Sequence, residues 1–118
     1  MDPDRLTVKA QQALGQAQSA AASMQHQEVD VEHLLLALID QRDGVVIPLL
    51  QRLGARPEAL QDAINGDLAS RPKVSGSQKQ FLSPALDAVL DQAQAIAQNF
   101  TDEFVSTEHL LLAIIQGG

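Results

Sequence analysis

Seven residues of this chain occur twice in nearly the same form. Val31-Glu32-His33-Leu34-Leu35-Leu36-Ala37 returns as Thr107-Glu108-His109-Leu110-Leu111-Leu112-Ala113, about 76 residues later. Held without gaps, the same offset sets Leu14 on Leu90, Gln16-Ala17-Gln18 on Gln92-Ala93-Gln94, Ala21 on Ala97 and Val29 on Val105. Self-similarity over such a distance marks a duplicated supersecondary unit, and it limits the chain to folds that can be built twice and packed together.

The repeat also locates helix starts. Ser83-Pro84 reads as an N-cap followed by proline at the first helical position, and the offset lays it on Thr7-Val8, which makes Thr7 a cap as well. Asp30 and Ser106 precede the two copies of the motif in the same way. Glu32 and Glu108 then fall in first turns, where a carboxylate favours the positive end of the helix dipole. The pattern predicts helices over 8–23, 31–41, 45–53 and 57–69 in the first unit, and over 84–99 and 107–116 in the second. Pro48 is tolerated within a first turn, Gly54 ends one helix, and Pro57 opens the next. Leu60, Ile64 and Leu68 give that next helix an apolar face.

The fold class that follows is all-α, a duplicated helical unit with pseudo-twofold packing whose second unit is truncated. The Leu-rich helices 31–41 and 107–116 are expected at its centre. The Ala-rich faces of 8–23 and 84–99 are expected to allow close approach. Composition agrees, for Ala, Leu and Gln abound while Tyr and Trp are absent and only Phe81, Phe100 and Phe104 are aromatic. At 118 residues the chain suits one domain, 1–118, with repeat one at about 1–70, a linker at about 71–82 and an incomplete repeat two at about 83–118. The linker core, residues 70–80, has no apolar period and reads as surface, although it holds three of the eight basic residues.

Several function classes are disfavoured. Fifteen acidic residues against eight basic ones give a net charge of −7, which repels phosphate backbones, and no stretch gathers Lys or Arg into a stripe, so no nucleic acid is expected as a partner. There is no cysteine for a disulfide, a thiolate site or a nucleophile. No apolar run approaches the ~20 residues needed to cross a bilayer, and the start lacks the order of a signal peptide, so a cytoplasmic location and no membrane partner are expected. No Gly-x-x-x-x-Gly-Lys-Ser/Thr is present, so nothing here cradles a nucleotide phosphate.

Arg5-Leu6-Thr7, Gln12-Ala13-Leu14 with Ala17, and Glu32-His33-Leu34-Leu35-Leu36-Ala37-Leu38 together resemble the Clp amino-terminal repeat, and both units match it. The stretch Arg71-Pro72-Lys73-Val74-Ser75-Gly76 with Leu82-Ser83-Pro84 is more similar to the ClpB branch than to ClpA or ClpC. That resemblance implies a non-catalytic substrate-interaction domain of an ATP-dependent protein disaggregase, engaging unfolded or aggregated polypeptides. The parent would be a hexameric AAA+ ATPase working with the Hsp70 chaperone system, whose ATP and Mg belong to modules outside this segment, and the segment itself is expected to be monomeric without a cofactor. The alternative is an adaptor-docking domain of a protease-linked Clp ATPase of ClpC or ClpA type.

The resemblance also implies site residues. Positions matching Thr7, Asp102 and Glu108 handle substrate in the family, and all three are retained in type. Leu90 and Phe104 are added as candidates for apolar groups open to solvent, since a polar rim around an apolar surface suits extended-chain recognition. Against these stand plainer readings: Asp102, Glu103 and Glu108 serve solvation and helix capping, and the Leu triplets are core. His33 and His109 each lie third in a helix with no second ligand at i+4, which speaks against a metal site, and His26 sits in a connector with no partner signal. For a hydrolase or metalloenzyme the chain lacks a cysteine, a His-x-x-x-His pair and a nucleophile elbow. No catalytic and no metal residue is therefore assigned.

Overall fold

The computed structural model describes residues 2–74 and 79–117. Residues 75–78 of the expected linker, and the terminal Met1 and Gly118, lie outside the described residues. A 3₁₀ turn at Pro3–Arg5 leads into α1 (Val8–Ser23), β1 (Glu28–Val29), α2 (Val31–Asp40), α3 (Val46–Arg52), α4 (Pro57–Ala69), β2 (Phe81–Leu82), α5 (Pro84–Asn99) and α6 (Thr107–Gly117). The expected helices are all present, with bounds within a residue, and among the described residues the class is all-α apart from one two-stranded parallel pair, β1–β2.

Local chemistry explains the starts. Thr7 accepts the Ala10 N–H at 3.2 Å and Ser83 the Leu86 N–H at 2.9 Å, so both hydroxyls occupy equivalent cap positions. Asp30 caps α2 in a capping box closed by His33. Gly54, at φ 85°, takes the left-handed conformation that stops α3, and the Ala55 N–H then bonds to the Leu50 carbonyl. Pro57 stands at the first position of α4, whose Ile64 and Leu68 are buried and whose Leu60 is partly so.

α2 and α6 are central. α1 packs on α2 and α5 on α6, while α2 and α6 touch each other. The face that α1 turns inward is Ala10, Ala13, Ala17 and Ala21, as its composition predicts. The corresponding face of α5 is larger, with Leu86, Val89, Leu90 and Ile96 beside Ala93 and Ala97, so close approach through small residues holds for α1 rather than for both helices.

The offset seen in the residues recurs in the hydrogen bonding. Leu6 bridges Val105 in parallel, and Val29 pairs with Leu82 in parallel, so the segment entering α1 lies on the segment entering α6, and the one entering α2 lies on the one entering α5. The Thr7 N–H donates to the Val105 carbonyl at 3.0 Å, the Ser83 N–H to the Val29 carbonyl at 2.9 Å. Gln25 and Thr101 both adopt positive φ, 62° and 55°, where α1 and α5 turn off. Strand pieces of two residues carry no readable alternation, which is why a helical expectation passes over them.

Candidate functional site at the paired helix entrances

The Leu6–Val105 bridge sets the geometry of the expected site. It carries two bonds, Thr7 N–H to the Val105 carbonyl at 3.0 Å and Val105 N–H to the Arg5 carbonyl at 2.7 Å, which lay the cap of α1 beside residues 102–106. Asp102 is placed by its own N–H, donated to the Ala97 carbonyl at 2.8 Å, after the positive-φ turn at Thr101. Its carboxylate, half exposed, accepts from His109 Nε2 at 2.9 Å. His109 Nδ1 in turn accepts the Ser106 N–H at 2.9 Å and faces the Ser106 hydroxyl at 3.1 Å. His109 thus works as a strut between the start of α6 and Asp102. No metal role is needed to explain it, and the described residues contain no group of three or more metal-ligating side chains.

Thr7 therefore lies beside the segment that carries Asp102 and Phe104, the latter 44% exposed, while Phe100 is stacked on the His109 ring at 6.4 Å. Glu108 lies exposed in the first turn of α6, with no hydrogen-bond partner among the described residues. A small hollow of about 180 Å³ opens here, between Arg5, Gln98, Asp102, Glu103 and Val105; Thr7 and Glu108 do not line it. A larger groove, about 730 Å³, lies between α5 and α6, lined by Val31, Ala88, Val89, Ala113 and Ile114, and it contains none of the expected site residues.

Leu90 requires a correction. It is 4% exposed and belongs to the core, because Leu86, Leu90, Ala93 and Ala97 form one inward stripe of α5 at helical spacing. It offers no surface to a ligand in this fold. Phe104 keeps the partial exposure expected of it.

Two further expectations change. His26 has a partner after all: it is buried, and its Nδ1 lies 2.9 Å from His33 Nε2. The offset that lays His33 on His109 also lays His26 on Asp102, and that correspondence was the signal available. The linker, too, is anchored rather than merely superficial. Arg71 binds Asp30 at 2.8 Å, Glu32 at 2.9 Å and Asp67 at 2.7 Å, and the Val74 N–H bonds to the Gln25 carbonyl. Asp30 also accepts from the Ser83 hydroxyl at 2.7 Å. Burial pushes the Asp30 carboxyl upward, but Ser83, the Val31 N–H and the Arg71 guanidinium outweigh it and hold the group below its ordinary value.

Residues 5–118 match the Clp repeat (R) N-terminal domain. The chaperone protein ClpB of Nitratidesulfovibrio vulgaris is 44% identical over 120 residues, covering 98% of this chain and 14% of that protein's length. Among solved structures, the N-terminal domain of the ClpV1 ATPase from E. coli is 31% identical at a TM-score of 0.86, covering 97% of this chain and 69% of that one. A ClpV N-domain in complex with a VipB peptide is 24% identical at a TM-score of 0.82, covering 97% and 69%, which shows a shared fold.

Proposed function

The chain belongs to the Clp repeat (R) N-terminal domain family, and from that premise we propose that it is the substrate-interaction domain of a ClpB-type disaggregase. In this reading it holds unfolded or aggregated polypeptide for an AAA+ ATPase that carries the nucleotide sites, acts as a hexamer and cooperates with the Hsp70 system. The domain itself does no catalysis and needs no cofactor, and its setting is the cytoplasm. No helix among the described residues is long and apolar enough to cross a membrane.

The observation that carries this reading is the Leu6–Val105 bridge. It lays the threonine cap of α1 beside the segment that carries a half-exposed carboxylate and the open Phe104 ring. Exposed aromatic rings beside polar groups that retain bonding capacity suit an extended chain, which offers both side chains and unpaired backbone. Substrate contact is assigned to Thr7, Asp102, Glu108 and Phe104. Peptide binding is on record for a ClpV N-domain of this fold, and the chain's own surface residues supply the reason to extend it here.

The test replaces Thr7, Asp102 or Glu108 with Ala in the full-length protein. Disaggregation is expected to fall while basal ATPase stays near its starting rate, since no phosphate-binding loop lies in this chain. Melting of the domain is followed in parallel, because Thr7→Ala removes a cap worth about 0.5–2 kcal/mol. Loss of disaggregation only in variants already unfolded at the assay temperature would make these residues structural. Retention of an unfolded model protein without any adaptor separates this reading from adaptor docking.

A further inference from the structure

His26 and His33 are both buried, and neither is used by the surface described above. Their tautomers follow from the donors around them. His33 Nδ1 accepts the Asp30 N–H at 2.9 Å, so the proton of the neutral ring sits on Nε2 and is donated to His26 Nδ1 at 2.9 Å. The His26 proton is then on Nε2, a buried atom with no partner among the described residues. A chain of bonds in which each acceptor is already occupied has no place for another proton. Added at His26 Nδ1 it would face the His33 N–H; added at His33 Nδ1 it would face the Asp30 N–H that closes the capping box.

The second half differs at two positions of this cluster, with Ser106 also standing where Asp30 does. There Asp102 stands where His26 does, so the Nε2–H of His109 bonds to a carboxylate rather than to a second ring, and although the Ser106 N–H also faces Nδ1, a proton there would have the Ser106 hydroxyl at 3.1 Å to bond to. We propose that the His26–His33 pair is an acid-sensitive latch, which on proton uptake loosens the start of α2 and the linker contacts beside it while the Asp102–His109 half stays in place. The contacts affected are local. The Gln25 carbonyl accepts the Val74 N–H, the His26 carbonyl the Gln80 side chain, and the Gln27 carbonyl the Phe81 N–H, so the turn carrying His26 is what the linker rests on.

Charges near the pair act in both directions. Burial favours neutral His33 most, His26 and Arg71 add to that, and Asp30 opposes it; the net direction is downward from 6.5. Arg71 is itself held by Asp67, Asp30 and Glu32. Glu28, Lys73 and Lys79 are the other charged residues on the adjoining β1 and linker, Asp87 lies in the first turn of α5, and α1 carries no charge beyond Lys9. With the folded value depressed, stability from the neutral ring is complete above the ordinary value and is lost as pH falls from there toward the folded one.

The experiment measures urea unfolding of this chain between about pH 7.5 and 5.5, with ¹⁵N NMR of the histidine rings. The folding constant is expected to fall by up to about tenfold per pH unit below the ordinary histidine value. Both His26 and His33 should show the Nε2–H tautomer at the upper pH. His26→Asp gives His33 the carboxylate acceptor that His109 has and should flatten the profile. An unchanged slope in that variant would overturn the latch, as would a wild-type His33 ring that titrates like free histidine with no change in the folding constant. If His26→Asp does not fold, the wild-type ring tautomers and titration decide alone.

Discussion

α2 and α6 open with the same Glu-His-Leu-Leu-Leu-Ala, yet they end in different surroundings. Ile39 on α2 is fully buried, whereas Ile115, its counterpart on α6, is 47% exposed; Leu36 and Leu112 differ in the same direction. α4 packs against α2 without a comparable contact to α6, whereas α3 touches both. At the other end the contrast is electrostatic, since Arg71 binds Glu32 while Glu108 stands without a partner among the described residues. A shared sequence pattern determines how each helix starts and which residues lie on which side. How deeply those residues are buried depends on what the rest of the chain lays over them.

The strongest test of that contrast is a pair of truncations. Ile39→Ala should cost about 2–5 kcal/mol, since it leaves a cavity in the core. Ile115→Ala should stay within about 0.5 kcal/mol. Urea unfolding of both variants checks this, and equal losses would break the comparison. A smaller difference is expected at the caps. Ser83→Ala should fall near the upper end of the usual ~0.5–2 kcal/mol, because the buried hydroxyl also donates to Asp30, and Thr7→Ala nearer the lower end.

Acid should separate the halves again, in a lower range than the histidines. The Asp30 carboxyl lies below its ordinary 3.8, so its contribution is complete above that value and is lost as pH falls through the folded one. Ser106, the counterpart, has nothing to titrate. Replacing Asp30 with Ser should remove this step from a pH series of unfolding midpoints. The smallest effect is reserved for the glutamates: Glu32→Gln should cost about 1 kcal/mol and Glu108→Gln close to nothing in thermal melts. A large loss at Glu108 would mean that its role is structural.

Much of this fold was legible because its signals are local. Thr7, Ser83 and Pro84 announce helices within a few residues of themselves, and the periodicity of Leu60, Ile64 and Leu68 marks a packed face. The Leu90 stripe was equally local, and weighing that residue apart from Leu86, Ala93 and Ala97 concealed it. Other features join distant residues. Arg71 meets Asp30 and Glu32 from 41 and 39 positions away, and no window along the chain displays such a contact. The β1–β2 pair depends on backbone bonding between residues whose side chains carry no pattern. At the candidate site, Thr7 and Asp102 could be named one by one. Only the Leu6–Val105 bridge brings their segments side by side.

That bridge also bears on how the molecule is made. During synthesis Leu6 leaves the ribosome before Val105, and it has no strand to lie against until the residues between them have followed it out. Nor can Val29 find Leu82 before the linker has been produced. Closing loops of that length precedes any reward from the bonds they permit, so α1 and α2 can associate early but cannot complete their backbone pairing. Until then the nascent chain holds open the very backbone groups that the finished domain seals.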